Sequence, residues 1–327
     1  MEQGNDLDPD VRRFIRSIAA AVASHPGSGS VPHPEARRRA ELARTPWRQD
    51  GPAMLESQEL AVPTRHGNVR ARIHRPERGT LPGLVYLHGG GWTVFSIDTH
   101  DRVMREYASR AGCCVVGVDY ALSPEQKFPV ALEQVVDAVN WLAGESRTLD
   151  IDAERLAIGG DSAGANLSVA TCLKRRDQHS APPLVAMLLN YGAFVSSCSE
   201  EACRRYGGPE YMLGCEEMAE YWRNYMRSDA DAENPLVCPL LAPLRGLPPA
   251  FLAIAECDVL AEQNVEMAVR LQAVGVPARS VVYRGASHSF LEAMSVAAVS
   301  NRALADGSEW LEQAFRAGSG AAARDMA

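Results

Sequence analysis

The sequence predicts an α/β protein whose mostly parallel sheet is covered by helices on both faces. Two observations lead there. From residue 84 onward, short unbroken apolar runs alternate with segments of helical periodicity, and strands that are apolar at every position belong to sheets buried on both sides. Before that series, residues 60–73 alternate in strand fashion around His66-Gly67-Asn68, which predicts an antiparallel hairpin. A length of 327 residues with 46% hydrophobic and 23% charged residues suits one large globular domain with elaborations.

Taken in order, Val11, Phe14, Ile15, Ile18, Ala19 and Val22 recur at helical spacing. HPGSGSVPHP (25–34) breaks the pattern and EARRRAELAR resumes it, so two helices on a flexible joint are expected. After the hairpin the alternation runs LVYLHGG, THDRVMREYASRAG, CCVVGVDY, PVALEQVVDAVNWLAG, RLAIGGDS and AGANLSVATCLKRRD. It continues through LVAMLLNYG, FLAIAECD, EQNVEMAVRLQAVG, RSVVYRG and VSNRALADGSEWLEQAF. Between LVAMLLNYG and FLAIAECD lies an insertion of roughly fifty residues with helical patches, too long for a bare loop and read as a cap. The expected organisation is N-terminal cap helices (1–50), a core in two parts (51–193 and 241–317), a cap insertion (194–240) and a flexible tail (318–327).

Composition excludes several classes. A net charge of -8 speaks against a nucleic-acid partner, which needs a basic face. No apolar stretch approaches ~18 residues, so no membrane span is expected. The acidic start MEQGNDLDPD does not resemble a signal peptide, and a cytoplasmic location is expected. Eight cysteines without CxxC spacing, two of them adjacent at Cys113 and Cys114, read as buried free thiols rather than a zinc site or disulfide framework. No metal or cofactor is expected.

The segment GGDSAGAN (159–166) carries the chemistry. A GxSxG match arises by chance in roughly one chain in ten of this length, but here it falls between a strand-like and a helix-like run. That is the setting of a nucleophile elbow, where Gly160 and Gly164 let strand and helix approach. The competing reading is a glycine-rich turn at a helix start. A serine hydroxyl needs a base and a group to orient that base. Of the two histidines after Ser162, His179 lies at the far end of the following helix, whereas His288 in YRGASHSF follows a strand at the ligand-binding edge. The preceding strand offers Glu256 and Asp258; Asp258 is preferred because it falls past the strand end, with Glu262 a remote third. HGGGW (88–92) supplies bare backbone amides for a developing oxyanion, and the amide of Ala163 at a helix start complements them. The loop lacks the patterns of phosphate loops, GxxxxGK[ST] and GxGxxG.

Together, HGGGW, DYALSPEQKFPVAL (119–132), GGDSAGANL (159–167), LPPAFLAIAECDVL (247–260) and YRGASHSF (283–290) resemble the hormone-sensitive lipase family of α/β-hydrolases, in particular its GDSAG-type microbial esterases, over about residues 55–315. The resemblance implies an α/β-hydrolase fold with an eight-stranded mostly parallel sheet and a helical cap formed from the N-terminal helices and the insertion. It places a triad on Ser162, Asp258 and His288, an oxyanion hole on the amides of Gly90, Gly91 and Ala163, and gives His88 a structural role. The sequence departs from the family pattern at Ser123 (usually Ala), Val259 (Pro) and Ser289 (Gly).

The expected activity is hydrolysis of short-chain carboxylic esters, acetyl to about octanoyl by resemblance, through an acyl-enzyme. Trp92, Asp161, Tyr211 and Trp222 are the expected substrate contacts; Met212, Met218, Tyr221 and Tyr225 join Tyr211 and Trp222 as candidates for a pocket wall, weighed against plain packing within the cap. The alternatives are a deacetylase or amidase of a small metabolite and, against the presence of His288, a non-catalytic ligand receptor. The resemblance also makes a homodimer through the last strand and helix an expectation.

Overall fold

The computed structural model describes residues 6–24 and 33–325. Strands β1 (Glu56–Val62) and β2 (Val69–Arg75) pair antiparallel as the expected hairpin. Then follow β3 (Leu81–Leu87), β4 (Cys114–Asp119), β5 (Ile151–Asp161), β6 (Ala186–Asn190), β7 (Ala250–Cys257) and β8 (Ala278–Ser287). They form one eight-stranded sheet in the order β1-β2-β4-β3-β5-β6-β7-β8, in which only the pairs made by β2 are antiparallel. All positions of β3 and β6 are buried, as their unbroken apolar runs require. β1 is exposed along most of its length and forms one edge.

Helices α1 (Pro9–Ala23) and α2 (His33–Arg44) precede the sheet. The connecting helices are α3 (Asp101–Ala111), α4 (Val130–Gly144), α5 (Ala163–Asp177), α8 (Ala261–Ala273) and α9 (Ala298–Asp325). α1 is capped by Asp8, whose carboxylate accepts the amides of Asp10 and Val11, and it buries Val11, Phe14, Ile15 and Ile18, the stripe its periodicity marked out. Residues 25–32 of the expected joint lie outside the described residues. His33 and Pro34 open α2 instead of breaking the chain, because proline is tolerated in the first helical turn.

α9 runs through Asp325, over most of the stretch 318–327 expected as a tail, of which residues 326–327 lie outside the described residues. One expectation is corrected here. The cysteines are not all free: Cys203 on α6 (Glu200–Tyr206) is disulfide-bonded to Cys215, the first residue of α7 (Cys215–Tyr225). The turn between these helices brings the two Cα atoms to 5.8 Å, a proximity that a 12-residue spacing does not announce. Cys113, Cys114, Cys172, Cys238 and Cys257 are buried free thiols, and Cys198 is half-buried.

Candidate active site

The site is built where β5 turns into α5. Ser162 stands alone between them with φ 54° and ψ -117°, a left-handed φ that non-glycine residues adopt at an energetic cost. The turn is held by the Ser162 amide, which donates to the Asn190 carbonyl at 2.9 Å, and by the Ser162 carbonyl, which accepts the Asn166 and Ala193 amides. Strand and helix approach so closely that a Cβ on Gly164 would lie 1.9 Å, and one on Gly160 2.2 Å, from the Leu87 carbonyl oxygen. Only glycine fits at either position.

Residues from three loops converge on this turn. Nε2 of His288 lies 2.9 Å from Oγ of Ser162, and Nδ1 of His288 lies 2.7 Å from Oδ2 of Asp258. The other carboxylate oxygen of Asp258 accepts the Leu260 amide at 2.9 Å, which fixes the acid's orientation. The ring of Tyr191 meets the imidazole edge-on at 5.1 Å. Burial alone depresses the His288 pKa, but the charge and hydrogen bond of Asp258, helped by Asp161 and Glu217, outweigh it and the net shift is upward. Glu256 is turned away and accepts the Gly285 amide at 2.9 Å. His179 is exposed at the end of α5, and Glu262 follows on α8.

The glycine loop faces the same point. Gly90 and Gly91 have φ of 104° and 56° and line a cavity together with Ser162 and His288. The Gly90 carbonyl accepts the amides of Thr93 and Val94, both at 2.9 Å, and the Thr93 hydroxyl donates to the Gly91 carbonyl. The Gly90 and Gly91 amides have no hydrogen-bond acceptor among the described residues, and Ala163 opens α5 with its amide in the unsatisfied first turn. His88 stacks on Tyr120 at 4.3 Å, and its Nδ1 lies 2.7 Å from the Gly89 carbonyl. Burial, then the nearby His100, lower its pKa to about 4, so it is a neutral, structural ring.

The cavity has a volume of about 560 Å³. Ile15, Ile18 and Val22 of α1, with Ala36, Ala40 and Arg44 of α2, form one wall. Tyr211, Met212 and Leu213, from the turn between α6 and α7, and Met218 and Tyr221 of α7 form another. Of the four expected substrate contacts, Tyr211 lines this space and the other three do not. Trp92 is buried in a stack on Tyr225 (4.3 Å, 6°), with Trp222 against it at 4.5 Å; both are packing between the glycine loop and α7. Asp161 points behind the serine, accepting from Tyr86 Oη at 2.9 Å and lying 3.2 Å from Nε2 of His100. Burial opposes its charge, but His100 and Tyr86 hold its pKa below the usual range. Of the remaining wall candidates, Tyr225 is buried behind the wall. The α1 contribution was visible as an apolar stripe but not as a pocket wall, because periodicity reports a buried face without saying what it faces. Among the described residues, no group of three His, Cys, Asp or Glu side chains is disposed to hold a metal ion.

An elbow serine, a histidine and an acid from successive strand ends, and a free-amide glycine loop on a mostly parallel eight-stranded sheet define the α/β-hydrolase class. Residues 84–292 match the family model for the alpha/beta hydrolase fold, and the chain belongs to that family. It is 36% identical over 308 residues to an acetyl esterase of Salmonella choleraesuis, covering 93% of this chain and 94% of the relative. Among solved structures it is similar to the hyperthermophilic esterase of the archaeon Pyrobaculum calidifontis, with a TM-score of 0.87, 32% identity and coverage of 94% of this chain and 98% of that one. A thermostable carboxylesterase cloned from a metagenomic library superposes with a TM-score of 0.84 at 30% identity, covering 87% and 98%. The resemblance to the hormone-sensitive lipase family drawn from the motifs is borne out.

Proposed function

We propose that the chain is a serine carboxylesterase of short-chain acyl esters in which Ser162 is the nucleophile, His288 the general base and acid, and Asp258 the group that orients and charges the imidazole. The observation that carries this is the continuous hydrogen-bonded path from Asp258 through His288 to Ser162, at 2.7 and 2.9 Å. Ser162 Oγ attacks the ester carbonyl as His288 Nε2 takes its proton. The amides of Gly90, Gly91 and Ala163 receive the oxyanion. The proton then passes to the leaving alcohol, and a water, deprotonated by the same nitrogen, resolves the acyl-enzyme. Relatives described as acetyl esterase and carboxylesterase support the ester substrate, and the largely aliphatic cavity supports acyl groups from acetyl to about octanoyl. Ser162→Ala should lower hydrolysis of p-nitrophenyl acetate by a factor on the order of 10⁶. A variant retaining a few per cent of wild-type activity, or a folded wild type that a fluorophosphonate fails to label at Ser162, refutes the reading.

α1 and α2 together with the segment holding α6 and α7 act as the cap in this scheme, since both supply cavity walls. The partner is a small ester. Among the described residues no helix is long and apolar enough to cross a membrane. Exposed Val282 on the edge strand β8 supports the expected homodimer through the last strand and helix, which sedimentation of a Val282→Lys variant tests: a dimer that persists unchanged rejects this face. Six free thiols support a cytoplasmic location, against which the Cys203–Cys215 bond pulls. Thiol counting on protein alkylated within intact cells decides between them.

A further inference from the structure

α2 is attached to the glycine loop by polar groups rather than by an apolar face. It buries only Ala43 and Arg44, and its contacts come from one stripe at i, i+4 and i+7. Arg37 Nε donates to the Thr93 carbonyl at 2.7 Å, Glu41 accepts from Ser96 Oγ at 2.6 Å, and the Arg44 guanidinium lies 3.8 Å above the Phe95 ring. The remaining donors of Arg37 go to the Ser123 carbonyl at 2.8 Å and, on the solvent side, to Glu125 at 2.5 and 3.0 Å.

The Arg37 contact has a direction that the other two lack. Thr93 C=O and Val94 N–H belong to one peptide group, and the Val94 amide donates to the Gly90 carbonyl at 2.9 Å. Gly90 C=O and Gly91 N–H belong to the next, and the Gly91 amide is one of the donors aimed at the oxyanion. A cation on the first carbonyl polarises that peptide, which strengthens its N–H as a donor to the second carbonyl and so makes the Gly91 N–H more acidic. We propose that Arg37 is a positioning residue for the oxyanion hole, acting on the Gly91 amide through two hydrogen-bonded peptide groups. The inference rests on the oxyanion hole assigned above, and it gives an N-terminal helix a part in transition-state stabilisation separate from lining the cavity, which Arg37 does not touch.

Full loss of an oxyanion donor lowers turnover by roughly 10²–10³, and cooperative strengthening is about 10–30% per bond, so a change of about three- to tenfold is expected. The experiment compares Arg37→Lys, which keeps the charge, with Arg37→Gln, which keeps a donor but loses it. Both are assayed on acetyl and hexanoyl p-nitrophenyl esters and against a trifluoromethyl ketone, which mimics the tetrahedral adduct. The expected result is a three- to tenfold fall in kcat for Arg37→Gln, equal for both esters, with KM within twofold. The ketone Ki should rise by the same factor, and Arg37→Lys should recover most of the loss. Equal behaviour of the two variants, an unchanged kcat, or a KM increase that depends on acyl length with the ketone Ki unmoved overturns it. Should Arg37→Gln fail to fold, Glu125→Gln tests the same point: removing the exposed counter-charge should leave kcat equal or higher, and a fall rejects the proposal. An inactive wild type would instead sink the functional reading itself, whereas an active wild type with insensitive variants sinks only this inference.

Discussion

The ring of Tyr221 occupies the space that any side chain on Gly91 would need: a Cβ there would lie 2.2 Å from Tyr221 Cγ. A cap helix therefore presses directly on the loop whose amides face Ser162. Because Gly91 also has φ +56°, Gly91→Ala meets both a clash and a left-handed backbone cost of about 1–2 kcal/mol. It should lower kcat on p-nitrophenyl butyrate by roughly 10² or more. Adding Tyr221→Ala should recover part of the loss, since the clash goes and only the backbone cost remains; a double variant no faster than Gly91→Ala would mean that the ring is not what excludes the side chain.

The His288 pKa is the balance of burial, which lowers it, and Asp258, the leading group that raises it. Its folded value lies above the ordinary 6.5, so the stabilisation from the protonated ring is fully present below that pH and is lost as pH rises through the raised value. Catalysis runs the other way, because only the neutral imidazole can accept the serine proton. Asp258→Asn leaves burial less opposed. The acid limb of kcat/KM should therefore move to lower pH, while the plateau falls by a factor on the order of 10³–10⁴. A limb that stays in place or moves up would contradict the assignment of Asp258.

The Cys203–Cys215 bond closes the turn that carries Tyr211, Met212 and Leu213 into the cavity wall. Replacing both cysteines by serine frees that loop in the unfolded chain and should destabilise the protein by about 2–3 kcal/mol, a fall in Tm of roughly 3–4 °C. Activity on hexanoyl esters should drop more than on acetyl esters, because the longer chain depends on the wall. Thermal melts with and without reductant, alongside the two assays, measure both effects.

Ser289, next to the histidine, has φ 58°, a conformation that favours glycine. A left-handed serine costs about 1 kcal/mol, so Ser289→Gly should raise unfolding free energy in urea by up to that amount. A decrease in stability would show that the Ser289 side chain contributes contacts larger than the backbone cost.

Much of this site could be read from residue order. The elbow followed from GGDSAG between two periodicities, and Asp258 was separable from Glu256 because one falls past the strand end; Glu256 indeed turns to the Gly285 amide. The substrate contacts were less legible. Trp92 and Trp222 are large aromatics beside the right motifs, yet Trp92 stacks on Tyr225 and Trp222 packs at a tilt against Trp92, because burying that much apolar area outweighs offering it to a ligand. Asp161 sits beside the serine in sequence, but its carboxylate is claimed by His100 and Tyr86.

What the sequence determined by itself is whatever depends on neighbours along the chain: apolar periodicity, the glycines a turn needs, and the order of nucleophile, acid and base at strand ends. What only the tertiary structure decided is which distant groups meet, as with Cys203 and Cys215, Tyr221 over Gly91, and Arg37 on the Thr93 carbonyl 56 positions away. The physical reason is that periodicity specifies which face of an element is buried, whereas the partner across that face is set by the packing angles and turn geometries of the assembled cap.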